Sequence, residues 1–263
     1  MRILVCVKQV IDTAARIELK DHDVDGTGLA RVLNPYDEFA LEEALRIRER
    51  NPDTTEIILV SLGPECFRDT LRAGLAMGAD RAVHLLDPLF AEVDSLTTAY
   101  LLGQAAIFLG FDLIFCGRQA VDDDMAQIGP AIAVYLQIPC ITVLTQLEFS
   151  EDRSKVVATR QIEGGSEIIE SPLPVLFTCQ KGLNQPRLPS LKGIMASKKK
   201  AIEIIDAKEL TFVPNERCVL TGTLNQTRLS LPDRQGKGKI IDGPTNDAVM
   251  QLVKILREQE KVV

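Results

Sequence analysis

The sequence predicts an α/β protein with a doubly wound, mostly parallel sheet, continued by extended C-terminal arms. Three observations carry that prediction. Up to about residue 140, short apolar runs alternate with stretches whose apolar residues recur at helical spacing. The short runs are nearly continuous in apolar character and rich in β-branched residues, as parallel strands covered on both faces require. The strand–helix–strand succession also favours right-handed crossovers, which make neighbouring strands parallel.

The elements follow in order. Strands are expected at Ile3–Val10, Glu56–Leu62, Arg81–Leu86 and Leu113–Gly117, with helices at Tyr36–Arg50, Glu65–Met77, Ser95–Leu109 and Met125–Leu136. Asn34-Pro35 puts a cap residue before a proline at the first helical position, and Asp37 and Glu38 sit near the positive helix end. Gly78 is placed to close the helix that ends at Met77. The stretch Asp12–Leu33, with Asp21, Asp23, Asp25, Gly26 and Gly28, reads as a hairpin or long loop. After about residue 140 the pattern turns to extended segments at Ile141–Glu148, Lys155–Gln161 and Ser166–Glu170, with Gly164-Gly165 as a turn, and then the strand Val175–Cys179. Gln185–Lys200 shows no clear periodicity, and the tail is loop-rich until an amphipathic helix at Thr245–Gln259. We divide the chain into a domain at 1–210, containing a distinctive loop near 184–200, and an arm with a helix at 211–263.

Composition narrows the function. The 263 residues suffice for one large domain, or one with an appendage. No stretch approaches the roughly 18 apolar residues of a membrane span, so membrane insertion is not expected. The apolar start Met1–Val7 is interrupted by Lys8, too short for a signal segment, and the expected location is cytoplasmic. A net charge of −7 argues against nucleic-acid binding. The six cysteines (Cys6, Cys66, Cys116, Cys140, Cys179, Cys218) form no C-x-x-C pair, and most sit in apolar runs where a free thiol reads as a small buried hydrophobe, not a metal ligand. Only two histidines exist, His22 in an acidic loop and His84 in an ordinary strand run, so neither a His-rich metal site nor a catalytic histidine is expected.

Phosphate-loop and Rossmann glycine patterns are missing. One segment nevertheless has the character of a site: Gly117, Arg118, Gln119, Ala120, Val121, Asp122, Asp123, Asp124, Met125, Ala126, Gln127 and Ile128, followed by Gly129-Pro130. It leaves the carboxyl end of a predicted parallel strand and enters a helix, which is where open α/β sheets bind ligands. Free amides near Ala126, Gln127 and Ile128 suit a phosphate, with Arg118 as a charged donor. At least one of the aspartates is read as a helix cap, and another as available to ribose or ring groups; a magnesium site is the weaker alternative.

The same stretch resembles the signature of the electron-transfer flavoprotein beta subunit family. Similar blocks are Val5–Asp12, Asn34-Pro35-Tyr36-Asp37-Glu38, Ala73–Asp80, Asn184-Gln185-Pro186-Arg187 and Leu191–Lys200. They run in order from residue 1 to about residue 210. The resemblance implies a heterodimer whose alpha subunit carries the electron-transferring FAD, with the beta chain forming part of its bed and binding a second nucleotide. Carried over by position, that second site uses Cys6, Asn34, Pro35, Tyr36, Asp37, Leu62 and Gly117 to Ile128, with backbone groups at Cys6 and Leu62 holding the base. Leu191, with Arg187, Ile194 and Met195 around it, matches the family's recognition loop for acyl-CoA or related dehydrogenases.

The second nucleotide is AMP in the housekeeping members. In the electron-bifurcating members it is another FAD, reduced by NADH. Asp122-Asp123-Asp124 resembles the AMP type and Ala126-Gln127-Ile128-Gly129-Pro130 the bifurcating type, with Asp123 standing where the latter carry glycine. The charged centre tips the reading towards AMP. No catalytic residue is assigned; redox chemistry would belong to the flavin. Two rivals stand beside it: a stand-alone adenine-nucleotide sensor, which needs no partner, and an enzyme acting on a nucleotide phosphate through Asp122 or Asp124.

Overall fold

The structure is a computed structural model that describes residues 1–21, 23–50, 54–91, 93–210, 224, 227–231 and 238–262. His22, Cys218 and the loop reading of 211–223 lie outside the described residues. The chain divides into two units. One comprises Met1–Glu18 and Val24–Thr227, the other Leu19–Asp23 and Arg228–Val263.

In chain order the first elements are β1 (Arg2–Cys6), β2 (Gln9–Ile11), β3 (Leu19–Lys20), β4 (Asp23–Val24), β5 (Arg31–Leu33) and α1 (Pro35–Arg50). Then come β6 (Glu56–Leu62), a 3₁₀ turn at Glu65–Phe67, α2 (Arg68–Met77), β7 (Arg81–Leu85), α3 (Ser95–Leu109), β8 (Leu113–Gly117) and α4 (Ile128–Leu136). The remainder is β9 (Cys140–Phe149), β10 (Lys155–Ile162), β11 (Gly165–Pro172), β12 (Val175–Cys179), α5 (Leu191–Ser197), β13 (Glu203–Ile205) and α6 (Thr245–Lys254).

Nine strands of the larger unit form one sheet in the order β11-β10-β9-β12-β8-β1-β6-β7-β13. Every pairing from β9 to β13 is parallel, while β10 and β11 extend the sheet antiparallel. The period-2 alternation of side chains gives the sheet two apolar faces. Ile3, Val5, Ile57, Leu59, Phe115 and Phe177 pack with Leu41, Leu45 of α1 and Leu71, Leu75 of α2. Leu4, Ile58, Val60, Ile114 and Leu176 pack with Leu101 of α3 and Ile132 of α4. Helices therefore cover both faces, as the continuous apolar runs predicted. Each fully buried aliphatic or aromatic side chain contributes about 1.5–3 kcal/mol.

Several boundaries depart from expectation. The single strand Ile3–Val10 breaks at Val7-Lys8, where the chain leaves the sheet before β2 pairs with β5. Helix α4 begins at Ile128 instead of Met125, because Asp124 and Ala126 take positive φ of 52° and 54°. The segment without periodicity contains α5, capped by Ser190, whose Oγ accepts from the Gly193 amide at 3.0 Å. Short helices need little periodicity when tertiary contacts hold them. The predicted helix Thr245–Gln259 is α6 followed by a π-helical turn, and its apolar residues Val249, Met250 and Leu252 are exposed.

Candidate nucleotide-binding site

Strand order reverses at β1. The chain proceeds from β1 to β6 and β7 on one side, then returns to place β8 on the other. Diverging connections open a crevice at such a switch point. A cavity of about 410 Å³ lies there, lined by Cys6, Val7 and Lys8 after β1, Leu62 and Gly63 after β6, and Cys116 to Ala120 after β8. Phe90, Val93, Thr98 and Leu102 make an apolar wall, and Met125 to Gly129 close the cavity at the start of α4.

A buried polar knot sets this geometry. The Asp37 carboxylate accepts from the Lys8 amide at 2.8 Å, Asn34 Nδ2 at 2.9 Å and the Gly117 amide at 3.1 Å. It thereby joins the ends of β1 and β8 to the start of α1. Asn34 does not cap α1 with its side chain. Its Nδ2 also donates to the Gln119 carbonyl at 2.9 Å, and its Oδ1 accepts from the Val121 amide at 3.3 Å. Only glycine fits at 117, since a Cβ there would stand 2.2 Å from Asp37 Oδ1 and 2.8 Å from Tyr36 Cβ. Burial pushes the Asp37 carboxyl up to about 7, against the pull of its three N–H donors and of Lys8.

The three aspartates are not helix caps. Lys8 Nζ pairs with Asp122 at 2.7 Å and Asp123 at 3.4 Å, Asp123 Oδ1 accepts from the Met125 amide, and Asp124 accepts from Gln119 Nε2 at 2.6 Å. They brace the loop before α4 and leave the helix end uncovered. Gln127, at the cap position of α4, makes no side-chain cap bond. Among the described residues the amides of Ala126, Gln127, Ile128 and Gly129 meet no acceptor. Unpaired amides at the positive end of a helix favour an anion. Arg118 lines the same cavity while Nη1 donates to Gln180 Oε1 at 2.8 Å.

Most of the expected residues therefore converge, with exceptions. Pro35, Tyr36, Val121, Asp122 and Asp124 stand outside the lining. Sequence reasoning missed Lys8, Gly63 and the wall formed by Phe90, Val93, Thr98 and Leu102. Only the sheet order brings that wall to the site, so no local signal announced it. Two thiols near the cavity, Cys116 and Cys140, are held in the protonated form. Hydrogen bonding to Cys6, then burial, pushes the Cys116 thiol well above its ordinary value, and burial pushes Cys140 up to about 11. The five described cysteines are all free, and no group of metal-ligating side chains occurs among the described residues.

The 184–200 segment is a second feature, held by its own clamps. Arg187 points into its own chain, donating to both oxygens of buried Glu42 at 2.8 and 2.9 Å and pairing with Glu49. Asn184 Nδ2 donates to the Phe39 carbonyl and to Glu43, each at 3.0 Å. Arg72 donates to the carbonyls of Ser197 and Lys200, and Lys200 Nζ to the Ala79 carbonyl at 2.6 Å. A Cβ at Gly193 would lie 2.2 Å from the Ala76 carbonyl oxygen, so α5 rests directly on the end of α2. On this fixed base Leu188, Leu191 and Met195 are 90, 82 and 70% exposed, with Ile194 at 40%.

Fold and cavity together define a doubly wound α/β protein with an anion-accepting crevice at its switch point. Residues 23–210 match the electron transfer flavoprotein domain. The chain is 40% identical to the electron transfer flavoprotein subunit beta of Thermoanaerobacterium thermosaccharolyticum over 100% of both chains. It is 35% identical to the subunit of that name from Bacillus subtilis, again over 100% of both. It is also 40% identical to the caffeyl-CoA reductase-Etf complex subunit CarD of Acetobacterium woodii, over 98% of this chain and 99% of that one. The chain belongs to the electron transfer flavoprotein beta subunit family.

Proposed function

We propose that the chain is the beta subunit of a cytoplasmic heterodimer. It pairs with an electron transfer flavoprotein alpha subunit and relays electrons between acyl-CoA-type dehydrogenases and a downstream acceptor. In this reading the beta chain binds AMP in the switch-point cavity and contributes to the bed of an FAD shared with the alpha subunit. The observation that carries it is the set of unpaired amides at Ala126, Gln127, Ile128 and Gly129, facing an otherwise mainly apolar cavity. A phosphate fits those amides and the positive end of α4. The base fits the apolar side formed by Val93, Leu102 and the Leu62–Gly63 backbone. The shared flavin supplies the redox chemistry when bound, and this chain's residues hold and shield it.

Leu191 and Met195, exposed on the clamped α5, are the proposed anchors for the dehydrogenase, with Ile194 beside them. Arg187 serves that surface indirectly, by fixing the backbone through Glu42.

A second reading places FAD, reduced by NADH, in the same cavity. One observation favours it. The Asp123 carboxylate is taken up by Lys8 and by the Met125 amide, so a side chain at this position costs a larger ligand little. The cofactors released on denaturing the co-expressed alpha–beta complex decide between the readings. The proposal expects one FAD and one AMP per dimer, and two FAD select the second reading. A complex without flavin would remove both.

A further inference from the structure

The Leu62–Gly63 backbone forms one side of the cavity, and what holds it lies beneath the sheet's carboxyl edge. His84 on β7 is fully buried, and its Nε2 lies 2.9 Å from the Gly63 carbonyl oxygen. A carbonyl oxygen only accepts, so Nε2 carries the proton of this ring. In the neutral ring Nδ1 is then a bare acceptor. It meets no partner among the described residues, and the same holds for the Ser61 hydroxyl; both atoms are shut off from solvent.

Ser61 and His84 are register partners across the β6–β7 ladder. Register partners leave the same face of a sheet side by side. A hydroxyl that needs an acceptor and a ring nitrogen that needs a donor are thus buried at adjacent positions, in surroundings where unmade hydrogen bonds are costly. Neither bond is made among the described residues, so the one hydrogen bond that holds the ring there is Nε2–H to the Gly63 carbonyl.

We propose that His84 is a positioning residue for the nucleotide cavity, whose Nε2–H fixes the Gly63 carbonyl and the adjoining Leu62–Gly63 wall. This rests on the nucleotide reading above. Burial lowers the His84 ring below its ordinary value, which keeps the ring neutral and consistent with one donor and one acceptor nitrogen. The Gly63 carbonyl belongs to the peptide bond with Pro64, whose nitrogen has no hydrogen to offer the loop. The His84 bond adds to the bonds from the Gly63 amide to the Leu85 carbonyl and from the Phe67 amide to the Pro64 carbonyl in constraining this turn.

The test uses the intact alpha–beta complex. AMP affinity is measured for the wild type, His84→Leu and His84→Gln, with flavin content as the internal control. His84→Leu is expected to weaken AMP about tenfold, the worth of one lost hydrogen bond, with flavin content unchanged. His84→Gln, whose amide can still donate to the Gly63 carbonyl, is expected to restore most of the affinity. Nitrogen-15 spectra of the wild type should show a protonated Nε2 and a bare Nδ1. If His84→Leu does not assemble, the wild-type spectrum decides, and a proton on Nδ1 overturns the inference. A proton on Nδ1, unchanged affinity in His84→Leu, or equal weakening in the Leu and Gln variants overturns the inference and leaves the nucleotide reading standing. A wild-type complex that binds no AMP overturns that reading, and this inference with it.

Discussion

The switch-point cavity and the 184–200 segment are both built by side chains that reach across long stretches of sequence, yet they present opposite surfaces. At the cavity, Asp37 and Asn34 turn inward and satisfy the backbone donors of Lys8, Gly117 and Val121. The amides of Ala126 to Gly129 are left over. In the 184–200 segment, Arg72 and Lys200 satisfy backbone carbonyls while Arg187 holds Glu42, and apolar side chains are left over. What a region offers to a ligand or partner is what its own hydrogen-bond network does not consume. One region is suited to an anion, the other to an apolar pocket.

The largest break in this comparison is expected from Asp37→Ala. It strands three donors at once, and a loss of about 4 kcal/mol in urea unfolding is expected, together with loss of the bound nucleotide. Stability equal to wild type would show that the knot does not hold the two strand ends.

The same residue gives a pH signature. Its folded-state value is raised from 3.8 to about 7, so the folded protein holds this proton more tightly than the unfolded chain does. Its contribution is therefore fully present below about pH 4 and is lost as pH rises towards 7. The expected slope approaches about 1.4 kcal/mol per pH unit within that window. Urea midpoints from pH 4.5 to 7.5 should show Asp37→Asn lacking this slope relative to wild type.

The 184–200 segment should fail differently. Gly193→Ala forces a Cβ towards the Ala76 carbonyl and is expected to cost about 2 kcal/mol. It should raise the KM for the partner dehydrogenase while nucleotide content is unchanged. Leu191→Ala should raise that KM about tenfold with stability within about 0.5 kcal/mol of wild type, as for an exposed docking anchor. The smallest effect belongs to Lys8→Gln. Its pairs with Asp122 and Asp123 are roughly 40% exposed, and such pairs are worth about 0–1 kcal/mol.

The two regions also differ in how legible they were. The parallel core could be read because strands buried on both faces must be apolar throughout, as Val175–Cys179 and Leu113–Gly117 are. The position of the cavity followed from the strand-to-helix passage after Gly117. Its inner wiring did not. Asp122 to Asp124 look like caps in isolation, but Lys8 and Gln119 claim them across the loop and beyond. The wall of Phe90, Val93 and Thr98 depends on β1 lying between β6 and β8, a non-local pairing with no local signal. Helix α5 was invisible because it is fixed by packing on α2 and by distant arginines, not by its own periodicity. Arg187, expected at a partner surface, was claimed by Glu42 through a contact that only the fold creates.

The central claim is that α4 offers its amides to a phosphate. A crystal structure of the alpha–beta complex grown with AMP tests it most directly. The account predicts phosphate oxygens within hydrogen-bond distance of the amides at Ala126, Gln127 or Ile128, with the base towards Leu62. A nucleotide bound elsewhere, or those amides turned onto acceptors of the chain itself, would contradict it.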